Sequence, residues 1–219
     1  MPNWCNNEIQ VTGDEEKLKE FKEFVRNSEG YHDLCANKFK WVVTDPETGK
    51  RDTVEVSNPC KQGDPFKNDC DEKYNEFSFQ EIVPMPKELL NTTSPVTIYE
   101  TQEELDKHLD EIEEKYKGKD NNLHYFRSLA NQAQTREYSD NLKKMYGADN
   151  WYDWCNTFWG TKWDTGDTYC QDDGWILKYD FDTAWCPPEP ICSVLRDMFP
   201  SLTITWFFRE DGMEMAGYL

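Results

Sequence analysis

The sequence predicts an α+β protein: an antiparallel or mixed sheet with helices packed on one face and an α-helical insertion. Three observations carry that expectation. Apolar residues recur with period 2 near both ends of the chain, with helical spacing directly after the first strand and before the last ones, and with turn chemistry between. At 219 residues the chain is long enough for one sizeable domain, or for a compact domain carrying a large insertion.

The elements follow in order. Ile9 and Val11 alternate with Glu8, Gln10 and Thr12 in a short half-buried strand that Gly13 ends. Asp14 is placed to cap a helix in which Leu18, Phe21, Phe24 and Val25 form the apolar stripe. Phe39, Trp41 and Val43 alternate again, Asp45 to Gly49 is a turn, and Thr53 to Val56 returns as partner strand. Ser57 to Asn75 is read as a loop, and Phe77 to Val83 as a buried strand closed by Pro84-Met85-Pro86. Thr101 and Glu104 have capping-box spacing, and Leu105, Leu109, Ile112 and Tyr116 predict a helix over 102–117. Gly118 to Asn122 breaks that pattern before a second helix or broken pair reaching Tyr146.

The last seventy residues are the most informative. Trp151 to Trp159 is predicted to be an aromatic helix, followed by a glycine-bearing loop to Gly174. Trp175, Leu177, Tyr179 and Phe181 alternate with Lys178, Asp180 and Asp182 in a strand with one wet face. Pro187 and Pro188 open a helix bearing Ile191, Val194, Leu195 and Met198. Leu202, Ile204 and Trp206 form the next strand, and Asp211-Gly212 signals a two-residue hairpin toward Met213, Met215 and Leu219. Strand, helix, strand, hairpin and strand in this order fit the ferredoxin-like type. The domain organisation expected is an amino-terminal α+β part over 1–100, an α-helical insertion over 101–147, and a carboxy-terminal part over 148–219 that completes one compact domain with 1–100.

Composition narrows the partners. The chain has 24 Lys and Arg against 43 Asp and Glu, a formal charge of −19, and 15% aromatic residues. Such an aromatic supply builds a core, and such a charge repels phosphate backbones and anionic membranes. No direct nucleic-acid binding and no membrane association are expected, and a basic protein surface is the favoured partner, attracted over about 8 Å at physiological salt. Neither a signal peptide nor a membrane span is evident, so the expected location is the cytoplasm of a host cell. Eight Cys, at 5, 35, 60, 70, 155, 170, 186 and 192, are then read as free thiols. No C-x₂₋₄-C pair occurs and the three His stand far from most Cys, so no metal and no cofactor are expected. The sequence contains no convincing catalytic constellation, no catalytic residue is named, and the reading leans against an enzyme.

The opening Met-Pro-Asn-Trp-Cys-Asn-Asn, the segment Asn150 to Cys155, the run Trp159-Gly160-Thr161-Lys162-Trp163-Asp164 and the tail Phe181 to Pro188 together resemble the Api92-like proteins of phages and plasmids. The resemblance covers the amino-terminal motif and nearly all of 149–219, whereas about 30–145 departs from it. It implies a ferredoxin-like carboxy-terminal domain and residence on phages and conjugative plasmids, whose accessory genes often counter host defence. It implies no reaction and no active site.

Two candidate sites follow from the residues. Asn3, Trp4, Asn6, Trp159, Lys162 and Trp163 form a candidate ligand site, with a base or aromatic side chain stacked between Trp159 and Trp163 and Lys162 on a phosphate. Against it stands the architectural reading, in which Trp4 pins the strand to the core, both rings pack over the sheet and Lys162 forms an ion pair. Asp164, Asp167, Asp172 and Asp173, with Tyr169 and Trp175 as aromatic anchors, form a candidate interaction surface. Glu103 before Lys107 and Glu111 before Lys115 mark the 102–117 helix as an ordinary solvated helix rather than a phosphate mimic. The favoured function is a non-enzymatic acidic mobile-element protein that binds and inhibits or modulates a host protein, in counter-defence. The alternative is a small-molecule or nucleotide-binding module.

Overall fold

The structure, a computed structural model, describes residues 3–26, 38–44, 51–57, 75–90, 92–116, 132–166 and 168–219. The chain opens with β1 (Trp4–Thr12), where Cys5, Asn7, Ile9 and Val11 point inward. Gly13 makes the turn because a Cβ there would lie 2.5 Å from Leu202 Cδ2. Asp14 then caps α1 (Glu15–Val25) by accepting from the Glu16 N–H at 3.0 Å, and Leu18, Phe21 and Val25 are buried. The expected hairpin is present as β2 (Lys38–Thr44) and β3 (Arg51–Ser57), antiparallel. Most of the expected 57–75 loop lies outside the described residues.

The strand expected at 77–83 is instead a bend followed by the short helix α2 (Phe79–Ile82). The reason lies 85 residues away. The Asp164 carboxylate accepts from the Phe79 N–H at 2.6 Å and from the Gln80 N–H at 3.2 Å, which frees the backbone from strand pairing. Phe77 and Phe79 are nonetheless fully buried, so the segment is in the core as expected but with a different backbone.

Within 92–147 the chain forms β4 (Thr97–Tyr99), α3 (Gln102–Tyr116), β5 (Ala133–Thr135) and α4 (Arg136–Tyr146). The α3 capping is as expected, Thr101 Oγ1 accepting from the Glu104 N–H at 3.2 Å. β4 and β5 pair in parallel, so the segment read as helical also carries a strand, and Ala133 belongs to it. Residues 117–131, which include the expected break and the start of the second helix, lie outside the described residues. Gly147, at φ 81°, closes α4 in a left-handed cap.

α5 (Trp151–Phe158) begins at Asn150, whose side chain accepts from the Asp153 N–H at 2.9 Å. The loop expected up to Gly174 contains β6 (Tyr169–Asp172), followed by β7 (Ile176–Ala184), α6 (Glu189–Met198), β8 (Thr203–Glu210) and β9 (Met215–Tyr218). Met198, expected on the apolar stripe of α6, is 49% exposed; Cys192 is buried beside Ile191 and Leu195 instead. Glu210 pairs with Met215, so the last hairpin has a four-residue loop rather than the expected Asp211-Gly212 turn. The buried Glu210 carboxylate stabilises it by accepting the N–H groups of Gly212 and Met213.

The main sheet has the order β6-β7-β1-β8-β9, antiparallel throughout. The first strand is therefore central, and the ferredoxin-like order β1-α1-β6-β7-α6-β8 is assembled from both ends of the chain. Residues 26–168 are threaded between α1 and β6. On the inner face, Phe77 lies 5.1 to 5.9 Å, ring to ring, from Tyr179, Phe181 and Trp206, and the core includes residues of α1, α2, α5 and α6. The outer face of the strands is not covered by a helix among the described residues, and it carries the candidate site.

Candidate interaction face

Strand alternation decides which residues this face presents. Asn6, Glu8 and Gln10 of β1 stand beside Lys178, Asp180 and Asp182 of β7 and beside Thr205, Phe207 and Arg209 of β8. Glu8, Asp180 and Asp182 are exposed. Asn6 Nδ2 donates to Asp180 Oδ1 at 3.2 Å and to Asp182 Oδ1 at 3.4 Å, so one amide holds two carboxylates side by side. The bases on the face are Lys178 and Arg209, and the Arg209 guanidinium is 3.1 Å from Asp211. Aromatic rings mark the edges: Tyr169 on β6 is 67% exposed, and Tyr218 on β9 packs on Phe207 at 5.3 Å.

Trp4 belongs to the same face. The expectation that it pins the strand to the core fails, because alternation turns it outward with Asn6, and it is 53% exposed. Its ring lies 6.2 Å from that of Trp163, itself 42% exposed, and the Lys162 ammonium sits 3.6 Å over the Trp163 ring. Asn3 is also at this end, its carbonyl accepting from the Trp185 N–H at 3.0 Å. Trp185 takes φ 75°, a backbone region that bulky residues rarely occupy, and its indole is a further exposed ring.

The remaining site residues are dispersed. Trp159 is buried, donates Nε1–H to the Val83 carbonyl at 2.8 Å and packs edge-on against Trp154, so no sandwich with Trp163 exists. Asp164 is not part of an exposed acidic surface: its carboxylate accepts from Ser78 Oγ, from the N–H groups of Phe79 and Gln80, and from its neighbour's N–H at Thr165. Burial pushes its pKa above the usual carboxylate range while these donors pull the other way. Asp172 is 2.9 Å from Lys22, which holds its pKa below the usual range. Asp173 is exposed and accepts from Gln171 Nε2, and Asp167 lies outside the described residues. Trp175 is 69% exposed, at the opposite end of β7 from Trp4. The sequence places Asn6 in the candidate ligand site and Asp180 and Asp182 on a wet strand face without pairing them; a period-2 register of β1 against β7 is the signal that pairs them.

Two of the free thiols, Cys5 and Cys155, are buried and suppressed. Burial, partly offset by a bond to Thr183, pushes Cys5 up to about 11, and burial pushes Cys155 up to about 12. Thiols whose folded pKa is raised above an unfolded value of about 8.5 stabilise the fold fully below pH 8.5 and lose that contribution as pH rises through 11 and 12. The expected result is that iodoacetamide at pH 8 leaves Cys5 and Cys155 unlabelled in the native protein and labels both in urea, read by peptide mass. Rapid native labelling of either thiol would show that it is not sealed.

Residues 158–219 match the family model described as the ferredoxin-like domain in Api92-like protein. Among solved structures, the chain is similar to the crystal structure of a protein Api92 from Yersinia pseudotuberculosis. The alignment has 13% identity, covers 100% of this chain and 93% of that one, and gives a TM-score of 0.43. No curated protein matches the chain. Residues 158–219 are thus similar to the ferredoxin-like domain of Api92-like proteins.

Proposed function

We propose that the chain is a non-enzymatic binding module that engages a basic surface of a host protein through the open face of its five-stranded sheet, acting in the cytoplasm for a mobile element. The observation that carries this reading is the Asp180–Asn6–Asp182 constellation, bordered by exposed aromatics, on a face that no helix among the described residues covers. Aromatic rings supply burial at an interface, and paired carboxylates select cations and speed encounter. The net charge of −19 adds long-range attraction for a basic partner. Modulating that host protein in counter-defence is the role that suits an accessory protein of a phage or plasmid. The 101–147 segment is proposed as an independent appendage whose acids do not contribute to this contact.

The test starts with a protein captured from host lysate at low salt, purified and titrated against the chain. Asp180→Lys with Asp182→Lys is expected to weaken binding at least tenfold, about 1.4 kcal/mol, and raised salt to weaken it further. Glu103→Lys with Glu114→Lys on α3 is expected to change affinity less than twofold. Equal losses from both double variants, or binding indifferent to salt, would defeat the proposal.

A further inference from the structure

The Trp163 ring already holds a cation. Lys162 Nζ sits 3.6 Å over it, on the side chain of the adjacent residue, and Trp4 supplies a second indole 6.2 Å away at a tilt of 35°. Both indoles are about half exposed, although a large aromatic ring loses free energy by standing in water. Two residues along β1, on the same outward face, Asn6 gathers Asp180 and Asp182. Positions i and i+2 of a strand lie about 7 Å apart, which is also the spacing of alternate side chains in an extended peptide.

From these placements we propose that the Trp4–Trp163 pair is a seat for an arginine of the partner, with Lys162 as an internal occupant that the arginine displaces. A second partner arginine, two residues away in an extended segment, docks on Asp180 and Asp182. This rests on the sheet face being the binding face and specifies what it reads: an Arg-x-Arg segment in extended conformation. Arginine suits both subsites. Its planar guanidinium stacks on indole, and it bonds carboxylates in a bidentate fashion where an ammonium acts as a point charge. Lys162 has no carboxylate at hydrogen-bond distance among the described contacts, so it leaves the ring without breaking an ion pair. Its role is therefore opposite to that of a phosphate anchor: removing it opens the seat.

The probe is an acetylated and amidated Gly-Arg-Gly-Arg-Gly peptide, titrated into the full chain and followed by NMR of the indole N–H signals, with Gly-Glu-Gly-Glu-Gly as control. The arginine peptide is expected to shift the Trp4 and Trp163 signals and leave the buried Trp206 signal in place. Lys162→Ala is expected to tighten binding about threefold or more, and Asp180→Asn with Asp182→Asn to weaken it by a similar factor, both with native spectra. Trp163→Ala removes the Trp4 response. Weaker or unchanged binding in Lys162→Ala, a response to the glutamate peptide, or silent Trp4 and Trp163 signals would overturn the seat. If the Asp180 and Asp182 reversals still abolish capture of the purified partner while the indoles stay silent, the seat alone fails and the sheet-face reading stands. If neither responds, both fail.

Discussion

Asp164→Ala is expected to destabilise the protein by about 3 kcal/mol, a large effect for a residue in an acid-rich stretch. The carboxylate is an acceptor for three backbone N–H groups and one hydroxyl, and it ties residues 78–80 to the segment entering Thr165. Alanine orphans all four donors at once. Thr165 Oγ1 meanwhile donates to the Phe77 carbonyl and accepts from Asn75 Nδ2, so the same junction holds Phe77 in the aromatic core. For a chain of this size the loss corresponds to a melting point lower by about 6 to 12 °C. Asp164→Asn should cost roughly half as much, because its one oxygen keeps the Phe79 and Thr165 N–H groups while its amide confronts the Gln80 N–H. Paired thermal melts of both variants check this. A shift below 2 °C for Asp164→Ala would show that water replaces the carboxylate without cost.

The same residue explains where reading the chain by pattern stopped. Elements whose signals are local were legible: the Asp14 and Thr101 caps, the alternation of β1, β7 and β8, and the apolar stripe of α1 each depend on residues within one or two turns. The α2 segment was not, since its conformation is set by Asp164 across 85 residues. β6 escaped because four residues between acids and glycines give too short a run to reveal their pairing with β7. Site residues divide in the same way. Whether Trp163 and Asn6 face a ligand or the core was left open by their surroundings in sequence, because that depends on register: Trp4 is exposed because β1 begins one residue before Cys5 on the outward face, and Asp172 is paired with Lys22 from α1. An acidic run counted along the chain overstates the field it makes, because folding brings bases to some of its members.

Trp206→Ala is expected to cost about 3 to 5 kcal/mol, the largest single effect in the sheet. The ring is fully buried at the centre of the sheet and meets both Phe77 and Phe181 edge-on at 5.9 Å. It also anchors a buried polar chain. Trp206 Nε1–H donates to Asn7 Oδ1 at 3.0 Å; Asn7 Nδ2 donates to the Cys5 carbonyl and to Thr183 Oγ1, each at 2.9 Å; Thr183 Oγ1 in turn donates to the Cys186 carbonyl at 2.8 Å. The Cys5 carbonyl can only accept, so the orientation of the Asn7 amide is fixed and its oxygen must face the indole. Trp206→Phe keeps most of the apolar contact and orphans that oxygen, for an expected loss of about 1 to 3 kcal/mol. Asn7→Ala orphans the indole N–H, the Cys5 carbonyl's best donor being lost as well, and should cost a similar amount. In the double variant Trp206→Phe with Asn7→Ala the broken bond is counted once, so the loss should fall short of the sum of the singles by about 1 kcal/mol. Urea denaturation followed by circular dichroism, which does not depend on the altered indole, gives all three values. Strict additivity would mean that the indole and the Asn7 amide stabilise the sheet independently, and that the buried polar chain is a set of separate bonds rather than a coupled unit.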